Sequence, residues 1–285
     1  MSDFGLKGGR ADAVETEINY LGPMADMPYF HAQRHDLDHL NLEPHRVRIV
    51  DARPDRAALR LEEDGFLLVD HPSAVDWLDD AQLGAIYPGE VAALIRRLTG
   101  ADHVVVNGGA VRRFAERGAR PEYVNSQPAR FVHVDYSRES FDRFAASNLG
   151  DHPDRERLLG GDGGHYAAYN IWRVVTPPPQ DVPLAVCAAS SVDPDDRVTG
   201  EARVDFGDGR PDFRFGSSLF RANPKHRWHY FRDMTPAEAL VFKAFDSDLS
   251  ALQGCPHVAF DDPDCPADAP ARGSVEIRAF AYWFG

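Results

Sequence analysis

Apolar and polar positions alternate most regularly near the end of the chain. Ser274-Val275-Glu276-Ile277-Arg278-Ala279-Phe280-Ala281-Tyr282-Trp283 has the period of two of a strand, which sets Glu276, Arg278, Phe280 and Tyr282 on one face. Runs of similar character predict strands over 46–51, 66–71, 103–106, 129–137, 169–175, 184–187, 217–220 and 228–231. Helical spacing appears twice. Leu83, Ile86, Val91, Leu94, Ile95 and Leu98 share a face over 79–98, with Gly100 placed to end the helix, and 140–159 is a polar amphipathic stretch with Phe141 and Phe144 inward. One segment stays undecided: Thr235-Pro236-Ala237-Glu238 opens either a capped helix or a turn into a strand over 239–245. Before residue 46 no period lasts, which predicts an extended arm lying over the domain. The fold class expected is therefore α+β with a mainly β core, as a single domain 1–285: an arm over 1–45 and a helix-flanked core over 46–285.

Charge narrows the range of partners. The formal net charge is −14, whereas phosphate binding needs concentrated lysine and arginine, so a nucleic-acid partner is not expected. Cys187, Cys255 and Cys265 are odd in number and form no Cys-x-x-Cys pair, which points away from a zinc ribbon or a disulfide framework and toward a reducing compartment. The first ten residues contain no apolar leader, and no uncharged apolar run is long enough to span a bilayer. The expectation is a cytoplasmic protein with a small-molecule partner, no membrane association and an oligomeric state that the sequence leaves open. Gly160-Gly161-Asp162-Gly163-Gly164 does not follow a strand in the Gly-x-Gly-x-x-Gly pattern, so a dinucleotide fold is not supported.

The candidate chemistry centres on Phe131-Val132-His133-Val134-Asp135-Tyr136. On extended backbone His133 and Asp135 point the same way while the valines point the other, which makes half of a metal site. A second His-x-Asp, His152-Pro153-Asp154, sits among charge and proline and reads as a turn into a solvated helix. His31, His35 and His39, spaced by four, read as a solvated surface for the same reason, as does His45. Two imidazoles and one carboxylate cover one face of an octahedral ion, a set that suits Fe(II) and leaves positions for a co-substrate and oxygen. The second imidazole must then come from His165, His226, His229 or His257. His257 is chosen because it opens the apolar run Val258-Ala259-Phe260, after which a Pro/Asp-rich loop over 261–270 returns the chain to the strand of Arg278. Two antiparallel neighbours would thus present His257 and Arg278 to one cavity, where the planar fork of arginine suits a carboxylate.

Several strings together carry a resemblance: Asp64-Gly65-Phe66-Leu67-Leu68, His71-Pro72-Ser73-Ala74-Val75, Thr99-Gly100-Ala101, His133-Val134-Asp135, Asn170-Ile171-Trp172-Arg173, 234–243, Asp246-Ser247, Cys255-Pro256-His257 and Ser274-Val275-Glu276-Ile277-Arg278. From about Tyr20 to the C-terminus the chain resembles the family of the cephem methoxylation hydroxylase component, the fungal AsaB-type hydroxylase/desaturases and the fungal gibberellin desaturase. The resemblance implies a double-stranded β-helix (jelly-roll) oxygenase that uses Fe(II), 2-oxoglutarate and O2 on a small molecule of secondary metabolism. By position it implies His133, Asp135 and His257 as iron ligands and Arg278 as the 2-oxoglutarate anchor, with Arg173 as its rival. Asn107-Gly108-Gly109 departs from the family pattern, so no substrate contact is assigned there. Tyr136, Asn170, Trp172 and Tyr230 are candidates for the pocket wall or for core packing. Two other functions compete: a jelly-roll enzyme using another metal for isomerisation or hydrolysis, and a non-catalytic protein that binds a small molecule.

Overall fold

The structure is a computed structural model that describes residues 12–118, 120, 127–204 and 212–285. The strands β1 (Ala13–Leu21), β2 (Tyr29–His31), β3 (Leu42–Asp51) and β4 (Phe66–Asp70) come first. Helices α1 (Asp80–Ala85) and α2 (Tyr87–Thr99) lead into β5 (His103–Phe114), and β6 (His133–Val134) leads into α3 (Arg138–Leu149) and α4 (Arg155–Leu158). The remaining strands are β7 (His165–Val174), β8 (Leu184–Cys187), β9 (Arg197–Val204), β10 (Phe213–Phe220), β11 (Trp228–Tyr230), β12 (Glu238–Asp246), β13 (His257–Ala259) and β14 (Gly273–Trp283).

These strands form two sheets. A nine-stranded sheet runs β1-β3-β11-β8-β13-β6-β10-β9-β2, and a five-stranded sheet runs β4-β12-β7-β14-β5. Between them Trp172, Leu240 and Phe242 of the smaller sheet pack with Leu184 and Val186 of the larger. The outer face of the smaller sheet is covered by α2. Val91, Leu94 and Ile95 are buried there against Ile171, Val241, Val275 and Ile277, an apolar stripe that keeps the helix in place. The helix expected over 79–98 is divided at Ile86, because Pro88 has no N–H to donate and is accommodated only in a first turn. Gly100 closes α2 in the left-handed region at φ 68°.

Three expectations change. Residues 13–21 are not an arm: β1 pairs with β3 along its length and buries Val14, Ile18 and Tyr20, whose even spacing is diluted by Thr16 and by the charged residues between. Residues 1–11 of the expected arm lie outside the described residues. The segment after Thr235 is a strand, since β12 is hydrogen-bonded on both edges, to β4 and β7, and all nine of its residues are buried. A solvated helix face has no place there. The strand expected over 129–137 contributes only His133 and Val134 to the ladder, with Phe131 bridging Asn19 alone.

Candidate metal centre

His133 and His257 are directly paired across β6 and β13, so their rings rise from the same face of the larger sheet with centroids 4.3 Å apart. Asp135, two residues beyond His133, projects alongside. The ligand atoms of His133, Asp135 and His257 all lie within 4.8 Å of one another, and this is the one such trio of His, Cys, Asp or Glu side chains among the described residues.

Each imidazole is oriented by the same device. Nδ1 of His133 lies 2.9 Å from the carbonyl of Phe131, and Nδ1 of His257 lies 3.2 Å from the carbonyl of Cys255. A carbonyl only accepts, so Nδ1 carries the proton and Nε2 keeps a free lone pair for a metal. Burial, with His257 alongside, pushes His133 down to about 3, and burial likewise lowers His257, so both rings stay neutral. The carbonyl of Cys255 is itself set by Gly254, whose φ of +100° admits no ordinary side chain: a Cβ there would meet the carbonyl oxygen of Ala244 at 2.2 Å. The backbone around Asp135 is held from β10, where Ser217 Oγ donates to Val134 O at 2.9 Å and Ser218 Oγ donates to Tyr136 O at 2.7 Å.

Asp135 receives more donors than any surface carboxylate needs. Arg278 donates through Nε at 2.6 Å and Nη2 at 3.1 Å, and Asn170 Nδ2 donates at 2.5 Å. Burial alone would raise the carboxyl pKa, but the Arg278 charge and the two imidazoles outweigh it, so Asp135 is held ionised well below the usual carboxylate range. The same Arg278 Nη2 reaches Glu276 at 2.6 Å. Two neutral nitrogen donors and one anionic oxygen, pre-ionised and aimed at one point, fit a divalent iron without rearrangement of their protons.

The expected site residues divide by face. Asn170 and Trp172 lie opposite Arg278 and Glu276 in the β7–β14 register, on the inner side, and Tyr136 accepts a hydrogen bond from Asn107 Nδ2 at 3.2 Å. Asn107 is thus brought to the centre, although the sequence offered no pattern to place it there. Arg173, one residue out of phase with Asn170 and Trp172, points to the outer side. There its guanidinium donates to Tyr87 Oη at 3.0 Å, to His71 Nδ1 at 2.6 Å and to His71 O at 3.0 Å, so it is a buried support for the helical layer and not a cofactor contact. Tyr230 also faces away: Trp228 pairs with Cys187, one residue from the Val186 that pairs with His257, and Tyr230 packs on Phe260 instead.

Among the rejected histidines, His165 stacks on Trp283, His226 joins Tyr20 and Asp196, and His229 lies beside Phe66. His257 and Arg278 do share one centre, though not as neighbours in a sheet. β13 pairs with β6 and β8 whereas β14 pairs with β5 and β7, and the two residues meet across the space between sheets. That space holds a small cavity walled in part by His133, His257, Trp172, Arg113, Glu276 and Arg272. Arg113 and Arg272 escaped sequence reading. For Arg272 a signal existed, because it continues the 274, 276, 278 face by one more step of two.

A family profile described as "Oxidoreductase/YMDC permease-like domain" matches residues 18–282. No helix among the described residues is long and apolar enough to cross a membrane. The Fe(II)/2-oxoglutarate-dependent dioxygenase NvfI of Aspergillus novofumigatus is 32% identical over 250 residues, covering 85% of this chain and 84% of that protein. The hydroxylase/desaturase CTB9 of Cercospora beticola is 32% identical over 259 residues, covering 85% of this chain and 77% of that protein. A solved structure of the iron and alpha-ketoglutarate-dependent endoperoxidase NvfI superposes with a TM-score of 0.82 at 27% identity, covering 97% of this chain and 99% of that one. The two facing sheets are accordingly a jelly roll. Sequence likeness over most of both chains and a backbone shared over 97% of this one lead to one conclusion: this chain belongs to the family of Fe(II)/2-oxoglutarate-dependent dioxygenases that includes the hydroxylase/desaturases.

Proposed function

We propose that His133, Asp135 and His257 hold the Fe(II) at which this oxygenase hydroxylates or desaturates a small-molecule substrate, with 2-oxoglutarate and O2 consumed and succinate and CO2 released. The observation that carries this reading is the convergence of two Nε2 lone pairs and one ionised carboxylate within 4.8 Å, a set that covers one face of an octahedral ion and leaves the other face free. Iron, when bound, supplies the four-electron reduction of O2, drawing two electrons from the keto acid and two from a substrate C–H bond; one oxygen enters succinate and the other enters the product or leaves as water.

The side chains do the positioning. Phe131 O and Cys255 O hold the imidazole tautomers, while Arg278 and Asn170 hold the Asp135 carboxylate in place. Asp135, as a carboxylate, would take on bound iron the position that a halide would need, which favours hydroxylation or desaturation over halogen transfer. Tyr136, Asn170 and Trp172 are the inner-face candidates for the wall of the substrate space. The relatives named hydroxylase/desaturase and "Gibberellin cluster GA4 desaturase" support a small molecule of secondary metabolism as substrate. Three free cysteines, two of them buried, support the cytoplasm as its compartment.

Anaerobic addition of Fe(II) and then 2-oxoglutarate tests the reading through the visible absorption of a keto acid chelated to iron. The wild-type protein should develop the band, and Asp135→Ala should lose both the band and retained iron. A wild type without the band, or an Asp135→Ala protein that keeps it, would refute the assignment.

A further inference from the structure

The chain carries more acid than base, 45 aspartates and glutamates against 31 lysines and arginines, so a half-buried arginine should find a carboxylate with ease. Arg197 does not. At the start of β9 it donates through Nη1 to Ser218 Oγ at 3.3 Å and through Nη2 to the carbonyl of Gln253 at 2.6 Å, both neutral acceptors, and no carboxylate among the described residues pairs with it. Its charged neighbour is another cation. Arg138, the first residue of α3, and Arg197 lie over the same Phe245 ring, at 4.8 and 4.7 Å from its centroid. Burial and the Arg138 charge together lower the Arg197 pKa to about 10, which leaves it cationic at neutral pH. The Asp142 carboxylate does little for the pair: it stands 3.7 Å from Arg138 and accepts from Tyr166 Oη at 2.9 Å.

We infer that the pocket beside these two arginines binds a small organic acid, with the carboxylate seated on Arg138 and Arg197 and the hydrocarbon body on Val192, Leu249 and Leu252. All five residues line one pocket, formed where the loop 188–196 meets the loop 247–256. It shares no lining residue with the cavity of His133 and His257, so it is a second site. Asp193, the acid on its wall, is matched by Lys225 Nζ at 3.0 Å and leaves the arginines uncompensated. Two guanidinium groups brought together without an anion of their own favour a carboxylate from outside the chain. The apolar lining then selects an acid with a hydrocarbon body over a bare inorganic anion. Leu249, 79% exposed on the pocket wall, is an apolar side chain that such a body would cover. The site also lies behind the loop of a metal ligand. Arg138 holds Gln253 Oε1 at 2.6 Å and Arg197 holds the Gln253 carbonyl, two residues before the Cys255 carbonyl that orients His257.

Octanoate serves as the probe, on protein kept under nitrogen with Fe(II) and excess 2-oxoglutarate so that the metal cavity is not open to it. Calorimetric titration of the wild type should show one octanoate bound per chain. Acetate, which lacks the body, and octan-1-ol, which lacks the charge, should each bind about tenfold more weakly or worse. Arg197→Gln should weaken octanoate by about tenfold or more and Arg138→Gln by about fivefold, while octan-1-ol binding stays as in the wild type. A cooperative melting curve is the control for folding. Should Arg197→Gln lack one, Arg138→Gln at the head of α3 decides alone, by the same selective loss. No binding of octanoate to the wild type at millimolar concentration, acetate or octan-1-ol binding as tightly as octanoate, octanoate competing with 2-oxoglutarate, or an unchanged octanoate titration in the folded variants would overturn the assignment.

Discussion

At the scale of single residues, buried charge among the described residues is paired at Glu238, at Lys243 with Asp246 and at Glu276 with Arg278, whereas Nε and Nη2 of Arg272 are buried without a hydrogen-bond partner. Glu238 shows the ordinary case. It is 5% exposed and accepts from Arg53 through both oxygens, at 2.8 and 3.1 Å, and from the Thr235 N–H at 2.9 Å. Burial would raise its pKa, but the Arg53 fork and the Thr235 bond outweigh burial and lower it from the usual 4.5. A carboxyl depressed in the folded state contributes stability that is present above its unfolded pKa and lost as pH falls through the folded value. Thermal melting followed from pH 6 down to about pH 3 should therefore show stability falling from about 4.5 downward, and Glu238→Gln should flatten part of that slope while costing about 1–3 kcal/mol at neutral pH. An identical acid slope in the variant would remove Glu238 from the account.

At the scale of elements, the layer formed by α1, α2 and the segment around His71 is clamped to β7 through Arg173. That guanidinium also faces the rings of Trp77 at 4.7 Å and Tyr87 at 5.0 Å, so a single side chain joins the helix, the loop and the sheet. Replacing it leaves the Tyr87 hydroxyl and the His71 carbonyl buried without a donor. Arg173→Gln should cost about 3 kcal/mol in unfolding free energy and leave the half-saturating 2-oxoglutarate concentration within threefold of wild type. A normal melting curve combined with weakened keto-acid binding would reverse this assignment. The short strand β6 illustrates the same dependence on its neighbours. Ser137 caps α3 through the Ser140 N–H, and the two serines of β10 hold the carbonyls on either side of Asp135, so a two-residue ladder suffices to place two ligands.

At the scale of the whole molecule, the two sheets supply opposite halves of one centre. The larger contributes the imidazoles from β6 and β13, and the smaller contributes Asn170, Glu276 and Arg278 from β7 and β14. A ligand that bridges the two should therefore stabilise the fold globally, because it binds only when both sheets are in place. Fe(II) with 2-oxoglutarate at about 100 times its dissociation constant should add about 2.7 kcal/mol, or about 5 °C in Tm for a chain of this size. Scanning calorimetry under nitrogen checks this, with Asp135→Ala expected to show no rise. A rise of the same size in that variant would mean that the ion binds elsewhere.

The local pattern was enough to place His133 and Asp135 on one side of an extended segment, to put Asn170 with Trp172 and Glu276 with Arg278, and to find α2 and β14. Periodicity reports which way a side chain faces, and that is settled by the backbone of its own segment. Partners across the molecule are a different matter. Arg173, Arg272 and Arg278 are the same residue type on adjoining strands or at their ends, and nothing local distinguishes a helix clamp from a carboxylate holder or an unpaired cavity guanidinium. Only the pairing of β13 with β6 and of β14 with β7 brought His257 opposite Arg278 from separate sheets and left Arg272 open to the cavity, and only the pairing of β11 with β8 turned Tyr230 away. Sheet order is decided by contacts between residues far apart in the chain, whose energies no single stretch of sequence contains.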